Sequence, residues 1–372
     1  MVPLIATAPA LMAAVTAAAE TVAAIDLDAM REAIALSARG FPAPNPHVGC
    51  VIQDARGQIV GRGWHEAAGQ PHAEAMALAE AGDRARGGTA YVTLEPCDHH
   101  GRTPPCSLAL ITAGVARVVV ACPDPNPVAA GGAARLRAAG ISVELGVLES
   151  EAAAINWRFL TAMRQARPAV VVKAALTLDG RIAWPSGESK WITGPEARTD
   201  GHRLRAEMGC VLVGRGTVAA DDPHLTARID GVKNAPVRVV LDPHARLTGR
   251  EHVFDDAAAT WWLTTTDAPG AICLPDLTPA TVLGFLRAQG VTGVLVEGGG
   301  VTIRHFLAAG LVDRLALYVA PRLFGAGRLW LPEGEPWSPP HGVSLELLGV
   351  TPIGQDLRLD YSVSPRDAAS PV

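Results

Sequence analysis

The sequence predicts an α/β protein built from two consecutive domains. Strand-like and helix-like segments alternate along the chain, which is the pattern of a sheet covered by helices. The alternation stops at Ala166-Arg167-Pro168 and then starts again. A chain of 372 residues is also long for a single hydrophobic core, because domains usually have about 150 residues. We therefore expect two compact α/β domains joined near residue 167.

The first domain is predicted to occupy residues 26–147. Apolar residues at helical or alternating spacing, separated by Gly, Pro and Asn, predict its elements. These are helix 28–37, strands 49–53 and 58–64, helix 73–81, strand 90–94, helix 107–113, strand 117–121, helix 133–139 and strand 141–145. The preceding residues 1–25 are rich in Ala, contain no Lys or Arg, and are interrupted by two prolines. We expect them to form a poorly ordered extension rather than a secretory signal or a membrane helix.

The second domain is predicted to span residues 168–364, after a linking helix and linker at 148–167 and before a tail at 365–372. The linking helix is predicted over 149–165. The elements expected in the domain are strand 169–174, helix 195–208, strands 210–214, 237–242 and 260–264, helix 281–288, strand 293–296 and helix 301–309. This order again predicts an α/β fold, in which functional residues lie where strands end.

Composition restricts the possible functions. The net charge is −5, the isoelectric point is near 6.1, and no basic cluster is present, so a nucleic-acid partner is not expected. No segment predicts a membrane helix. Two of the six cysteines belong to a motif described next, and the other four lie in apolar runs typical of buried thiols. We expect a small substrate, because the chain has no basic cluster that would bind a polynucleotide. We expect a cytoplasmic location, because a reducing compartment keeps thiols free.

The segment from Pro71 to Cys106 predicts a catalytic metal site. His72, Cys97 and Cys106 can bind three corners of a tetrahedral zinc ion and leave the fourth for water. Glu74 follows His72 by two residues and can move a proton without binding the metal. His-x-Glu followed by Pro-Cys and a second Cys is typical of zinc deaminases that act on nucleobases. The alternatives are a structural zinc site completed by His99 or His100, or a buried His with two unrelated core cysteines.

A second motif predicts an anion site in the second domain. Glu297-Gly298-Gly299-Gly300 follows a strand and precedes a helix, so backbone amides can approach a phosphate. The alternative is an ordinary tight turn. Another strand end is followed by Arg215-Gly216-Thr217 and then by Asp221-Asp222-Pro223. This arrangement favours a cofactor and substrate site where the strands end.

Together these segments resemble the bifunctional deaminase/reductase family of riboflavin biosynthesis, from residue 28 to about residue 362. The wide spacing of the two cysteines is a mark of that family. The segments that carry the resemblance are Pro44-Asn45-Pro46, Pro71-His72-Ala73-Glu74, Glu95-Pro96-Cys97, Asp124-Pro125-Asn126-Pro127, Ser189-Lys190-Trp191, Asp221-Asp222-Pro223 and Val296-Glu297-Gly298-Gly299. The resemblance implies a cytidine-deaminase-like three-layer α/β/α domain followed by a dihydrofolate-reductase-like α/β domain.

The resemblance also implies zinc and NADPH as cofactors, a phosphorylated pyrimidine as substrate, and catalysis by Glu74. We expect a homo-oligomer, a dimer or a tetramer. NADPH contacts are implied at Ala175, Trp191, Thr217, Asp221, Gly299, Gly300, Val301, Thr302, Ile303, Arg304 and His305. Substrate contacts are implied at Asn45, His99, Arg102, Ser189, Arg205, Leu225, Arg228 and Glu297. Arg205 and Arg228 suit a phosphate, because a guanidinium binds its oxygens in pairs.

Some alternatives stay open from the sequence. Lys173 and Asp179 can orient the substrate or can be buried partners of each other. Thr177 stands where the family usually has Ser, and the segment after Asn126 is one residue shorter than usual. Rival functions are a deaminase whose second domain binds a nucleotide without reducing anything, and a zinc-dependent regulatory module. Retention of Glu74 and Asp221 argues against both rivals.

Overall fold

The structure, a computed structural model, describes residues 26–99, 104–334 and 342–364. The predicted extension at 1–25, the predicted tail at 365–372 and Arg102 lie outside these residues. The described chain divides into two compact units, the first formed by 26–42 and 46–160 and the second by 43–45 and 161–364. No helix in the described ranges combines the length and the apolar character needed to cross a membrane.

The first unit contains one five-stranded sheet. Its elements are α1 (26–37), β1 (Gly49–Gln53), β2 (Ile59–Trp64), α2 (Ala73–Ala81), β3 (Thr89–Leu94), α3 (Cys106–Ala113), β4 (Arg117–Cys122), α4 (Gly132–Ala138) and β5 (Ser142–Leu145). The strand order is β2-β1-β3-β4-β5. β1 is antiparallel to β2 and β3, whereas β3, β4 and β5 are parallel.

Helices cover both faces of this sheet. A Cβ on Gly63 would lie 2.1 Å from the carbonyl oxygen of Ala73, so α2 packs directly on that face of the sheet. A Cβ on Gly49 would lie 1.9 Å from the carbonyl oxygen of Ala33 in α1. Gly63 pairs with Cys50, and successive residues of a strand face opposite sides, so Gly49 and Gly63 lie on opposite faces. The layers are therefore helix, sheet and helix.

The chain then continues through α5 (Glu149–Ile155) and α6 (Trp157–Gln165). The sequence predicts one helix here, and that prediction is wrong because Asn156 separates two helices. The Asn156 side chain accepts the N–H of His47 at 2.8 Å and donates to the His47 carbonyl oxygen at 2.7 Å. A partner 109 residues away leaves no trace in local periodicity.

The second unit contains a nine-stranded sheet. Its elements are β6 (Ala169–Thr177), β7 (Arg181–Ala183), α7 (Pro195–Met208), β8 (Cys210–Gly214), α8 (Arg215–Asp221), β9 (Val237–Leu241), β10 (Thr260–Thr264), β11 (Ile272–Cys273), α9 (Pro279–Ala288), β12 (Gly293–Val296), α10 (Gly300–Ala308), β13 (Arg314–Ala320), β14 (Arg328–Leu329), β15 (Leu345–Ile353) and β16 (Asp356–Val363). The strand order is β11-β10-β9-β8-β12-β6-β13-β16-β15. The strands from β11 to β13 are parallel, and β16 is antiparallel to both of its neighbours.

The sheet has a continuous apolar core, formed by residues such as Val170, Leu212 and Val294 together with Phe306 of α10. No strand is predicted from the sequence after residue 309, although β13 to β16 lie there. β15 is largely exposed and contains Gly349 and Pro352, so it lacks the apolar alternation that identifies a strand. The short elements β7, α8 and β11 are also absent from the prediction.

Candidate functional site

His72, Cys97 and Cys106 lie close enough to bind one metal ion. Nδ1 of His72 is 3.6 Å from Sγ of Cys97 and 3.3 Å from Sγ of Cys106. The three donor atoms lie within 4.8 Å of one another, and no fourth His, Cys or carboxylate joins the group among the described residues. Neither His99 nor another described residue therefore completes a closed structural site, while His100 lies outside the described ranges. One nitrogen and two sulfurs are donors that zinc prefers.

Three segments place these ligands. His72 directly precedes α2, Cys97 lies in the loop after β3, and Cys106 is the first residue of α3. The N–H of Cys106 donates to Sγ of Cys97 at 3.4 Å, and the N–H of Ser107 donates to the Cys97 carbonyl oxygen at 3.2 Å. The N–H donated to Sγ of Cys97 from the start of α3 favours a thiolate at Cys97.

The protonation of the ligands also suits a metal. The hydrogen bond from the Cys106 thiol lowers the pKa of Cys97, and the same contact raises the pKa of Cys106. The hydrogen bond with Cys97 raises the pKa of His72. Two sulfurs this close share one proton, and a divalent cation that binds both displaces it. The donor set fits zinc.

Glu74 lies beside the ligands in the first turn of α2. Its side chain is buried, with 3 % exposure. Burial raises the pKa of Glu74, and the nearby Cys97 thiolate raises it further. Glu74 also contacts Cys106 through its side chain. A carboxyl group with a raised pKa next to a metal site can both accept and return a proton near neutral pH.

The substrate contacts that the sequence predicts for the zinc-containing domain have different environments, and one of them, Asn45, belongs to the second unit. His99 is half-buried, and its Nδ1 atom is buried without a hydrogen-bond partner among the described residues. Such an atom is uncommon unless a ligand satisfies it. Asn45 lies half-buried in the loop before β1. Arg102 is outside the described residues, so its predicted contact stays a prediction.

Glu95 has a structural role that is not predicted from the sequence. Its carboxylate accepts N–H groups of Asp124 at 3.3 Å, Gly131 at 3.2 Å and Ala133 at 2.9 Å. These bonds fix the loop that follows β4 beside the Pro96-Cys97 segment. Burial raises the pKa of Asp124 to about 6. The only sequence signal is a carboxylate directly before the Pro-Cys pair.

The second unit has a cleft of about 1190 Å³, lined by residues that follow β8, β9 and β12. These strands are parallel, so the cleft lies along their carboxyl ends, where α/β sheets bind ligands. Several predicted NADPH contacts line it, namely Thr217, Asp221, Gly299, Gly300, Val301, Thr302 and His305. The predicted substrate contact Ser189 lines it too, and its hydroxyl donates to Asp221 at 3.0 Å.

The glycine turn before α10 forms an open cradle at Gly299. A Cβ on Gly300 would lie 2.5 Å from Pro332, so packing alone requires glycine there. A Cβ on Gly299 would meet only Oγ1 of Thr217, at 3.8 Å, so this position faces open space. Gly299 also offers no side chain to cap the first turn of α10. The N–H of Gly299 donates to Oγ1 of Thr217 at 3.0 Å, whereas the amides that follow in the first turn have no side-chain cap among the described residues and can bind a pyrophosphate.

Other predicted contacts have side chains that do not line the cleft. They are Ala175, Trp191, Arg205, Leu225, Arg228, Glu297, Ile303 and Arg304. Leu225 and Ile303 belong to the core, with 3 % and 1 % exposure, so only their main chains can reach a ligand. Arg304 donates to the carbonyl oxygen of Pro332 at 3.2 Å. Trp191 is 61 % exposed, and Ala175 is half-buried in β6.

Arg205 and Glu297 are partners of each other. Nε and Nη2 of Arg205 donate to the Glu297 carboxylate at 2.6 and 2.9 Å, and Nη1 donates to the carbonyl oxygen of Thr226 at 3.0 Å. Burial raises the pKa of Glu297, but the charges of Arg205 and Lys173 outweigh burial and leave that pKa at about 2. The exposed Arg228 is thus the more available of the two predicted phosphate ligands.

Lys173 and Asp179 are not partners of each other. Nζ of Lys173 lies 3.7 Å from the Glu297 carboxylate. Asp179 instead accepts the Thr177 hydroxyl at 2.5 Å and the N–H groups of Phe324 and Gly325 at 3.1 and 2.8 Å. Of the two alternatives left open by the sequence, mutual pairing is wrong.

Two protein-family models each match a part of the chain. Residues 23–122 match the cytidine and deoxycytidylate deaminase zinc-binding region, and residues 168–359 match the RibD C-terminal domain. The candidate zinc ligands and Glu74 lie within the first match, and the cleft lies within the second.

Relatives that match most of the chain agree with these two family matches. The chain is 44 % identical over 317 residues to the riboflavin biosynthesis protein RibD of Aquifex aeolicus (strain VF5), covering 82 % of this chain and 89 % of the relative. It is 44 % identical over 323 residues to RibD of Escherichia coli (strain K12), covering 80 % and 88 %. The solved structure of Acinetobacter baumannii RibD, form 1, superposes with a TM-score of 0.85 at 42 % identity, covering 92 % of this chain and 99 % of that one.

A solved structure from Thermotoga maritima, described as a diaminohydroxyphosphoribosylaminopyrimidine deaminase/5-amino-6-(5-phosphoribosylamino)uracil reductase, has a TM-score of 0.81 at 35 % identity, covering 92 % and 99 %. These similarities confirm the predicted fold class, a deaminase-like α/β domain followed by a reductase α/β domain. They also confirm the predicted cofactors, zinc and NADPH, and an enzyme with deaminase and reductase activities. The chain belongs to the RibD family of bifunctional riboflavin biosynthesis proteins.

Proposed function

We propose that the first domain deaminates 2,5-diamino-6-(5-phosphoribosylamino)pyrimidin-4-one by hydrolysis. The second domain then reduces the ribosyl side chain with NADPH, giving 5-amino-6-(5-phosphoribitylamino)uracil. The observation that supports the proposal is the group of three metal ligands, His72, Cys97 and Cys106, which has no fourth ligand among the described residues and has the buried Glu74 beside it. The description of the Thermotoga maritima relative supports the choice of substrate.

In the deaminase step, Glu74 is the proton carrier. Bound zinc would supply Lewis-acid activation of water at its open coordination position. Glu74 accepts the proton of the attacking water, passes a proton to a ring nitrogen, and then protonates the departing amine. One C–N bond is replaced by a C–O bond, and one water is consumed for each ammonia released. His99, Arg102 and Asn45 are the proposed substrate contacts.

In the reductase step, the cleft holds the cofactor, and Ser189 at its wall meets the substrate. Bound NADPH would supply a hydride to C1 of the ribosyl group as its ring C–O bond opens, with a proton taken up by the released ring oxygen. The first turn of α10 binds the pyrophosphate, and Ala175, Trp191, Thr217 and Asp221 contribute further cofactor contacts. Ser189 and Glu297 orient the substrate, and Arg228, assisted by Arg205 and the main chain of Leu225, binds its phosphate. A guanidinium suits this role because it binds phosphate oxygens in pairs.

We also propose a homo-oligomer, a dimer or a tetramer, in the cytoplasm. β15 is an edge strand, and its side chains include Leu347 and Val350, which are 54 % and 51 % exposed. An exposed apolar edge strand favours association with another chain. The cytoplasm is proposed because a zinc site with two thiolates depends on a reducing compartment.

One assay tests the proposed function. Purified zinc-loaded protein is given the diaminopyrimidine phosphate and NADPH, and ammonia and NADPH are followed together. We expect one ammonia released and one NADPH oxidised for each substrate, with ammonia appearing first. Omitting NADPH should leave ammonia release intact, because the first step needs no hydride.

The same assay separates the rival functions. If the authentic deaminated intermediate causes no NADPH oxidation, the second domain binds a nucleotide without reducing anything. If neither ammonia nor NADPH changes, the chain is a zinc-dependent binding module instead. Either result would overturn the proposal.

A further inference from the structure

Arg215 is a charged residue of the cleft that the function proposed above does not use. It is the first residue of α8, directly after β8, and it lines the cleft. Its side chain is 40 % exposed. No hydrogen bond of its guanidinium to another described residue is present, so its terminal nitrogens are available to a ligand.

The position of the Arg215 side chain is set by its contact with Asp242. The Asp242 side chain follows β9 and is only 1 % exposed. Its Oδ2 accepts the N–H of Leu247 at 2.9 Å and Nε1 of Trp262 at 3.3 Å. Its Oδ1 is buried and has no hydrogen-bond partner among the described residues, and Nε of Arg215 lies 4.0 Å away. A buried carboxylate is costly unless a cation is near, so Asp242 attracts the Nε edge of Arg215.

The position of this pair relative to Gly299 suggests which part of NADPH it meets. β12, β8 and β9 are neighbours in the sheet, and they lead into Gly299, Arg215 and Asp242 respectively. β12 and β8 are adjacent strands, and the N–H of Gly299 donates to Oγ1 of Thr217 at 3.0 Å, so the start of α8 lies beside the glycine turn. The predicted substrate contact Ser189 bonds Asp221 at the opposite end of α8 from Arg215. A pyrophosphate at the glycine turn would therefore direct the nicotinamide toward Asp221 and the adenosine ribose, with its 2′ substituent, toward Arg215.

We propose that Arg215, positioned by Asp242, binds the 2′-phosphate of NADPH and is the residue that discriminates NADPH from NADH. The inference rests on the cleft being the NADPH site. A dianionic phosphate and a guanidinium form paired, charge-assisted hydrogen bonds, and NADH offers only a hydroxyl at that position. Arg328, another arginine that lines the cleft, lies beside Gly187 near β7, at a different wall.

The test compares the dissociation constants of NADPH and NADH for the full chain by titration calorimetry. Arg215→Gln is expected to weaken NADPH binding by about 10- to 100-fold, because charge-assisted hydrogen bonds to the phosphate are lost. NADH binding should change by less than about twofold, since its 2′-hydroxyl carries no charge to pair with the guanidinium. Arg215→Lys should keep part of the preference, because it retains the positive charge.

Arg328→Gln is the matched control, since it makes the same change in the same cleft. Its ratio of NADH to NADPH dissociation constants should stay near that of the unaltered protein. The inference is wrong if Arg215→Gln weakens both nucleotides equally, if it leaves NADPH binding unchanged, or if Arg328→Gln shifts the ratio as much.

Gly299→Val separates failure of this inference from failure of the cleft assignment. If Gly299→Val leaves NADPH binding intact, the cleft is not the cofactor site. If Gly299→Val abolishes binding while Arg215→Gln treats the two nucleotides alike, the cleft assignment stands and only the role of Arg215 is wrong.

Discussion

Glu74→Gln is expected to lower the rate of ammonia release by about 10²- to 10⁴-fold, the usual contribution of a positioned proton carrier. Glutamine has nearly the same shape as glutamate, so it fills the buried site at the start of α2 without displacing His72 or Cys106. It cannot accept and return a proton. Zinc content, measured by atomic absorption, should stay at the level of the unaltered protein.

Glu80→Gln is the control for this change. Glu80 is an exposed residue of the same helix, and its carboxylate accepts the N–H of Arg62 at 2.8 Å. A glutamine can accept the same bond, so ammonia release should be unchanged. Ammonia release that survives Glu74→Gln at full rate would show that another group carries the proton.

Gly299→Val is expected to weaken NADPH binding by about 100-fold or more. The added side chain fills the open space in front of the first turn of α10, where a Cβ would meet only Thr217 at 3.8 Å. At least two charge-assisted hydrogen bonds, worth about 1.5–3 kcal/mol each, are then lost. The φ angle of Gly299 is −65°, which valine also adopts, so the fold should persist. Fluorescence titration with NADPH measures the effect.

Gly284→Val tests whether any glycine-to-valine change has this effect. A Cβ on Gly284, in α9, meets nothing within 4 Å, so NADPH binding should be unaffected. Ammonia release by Gly299→Val should also be normal, because Glu74 and the zinc ligands lie in the other unit. Unaltered NADPH affinity in Gly299→Val would place the cofactor elsewhere.

The parts of the molecule that the sequence predicts well are those with local signals. The zinc ligands stand in a motif whose residue types and spacing fit one chemistry, and the structure brings their donor atoms together. The glycine turn at Gly299 is similarly visible, because a strand, three glycines and a helix are adjacent in the chain. β12, with four buried residues, has the apolar pattern that identifies it.

Most of the parts that the sequence does not predict depend on distant partners, although β13, with five buried residues among seven, has a local apolar pattern and is also missing from the prediction. The pairing of Arg205 with Glu297 joins residues 92 positions apart, and both are expected from the sequence to contact substrate separately. The role of Glu95 in fixing the loop at Asp124 is also non-local. β15 is missed because its exposed side chains do not alternate with buried ones. Charge pairs and edge strands are set by tertiary contacts, which local periodicity does not record.

The coordination of zinc in the loaded protein tests the central claim most directly, and X-ray absorption at the zinc edge measures it. The account predicts two sulfur neighbours at about 2.3 Å, one imidazole nitrogen at about 2.0–2.1 Å and one oxygen from water. Cys106→Ser should remove one sulfur from this set. A third sulfur, a second imidazole or a fourth protein ligand in the unaltered protein would contradict an open catalytic site at His72, Cys97 and Cys106.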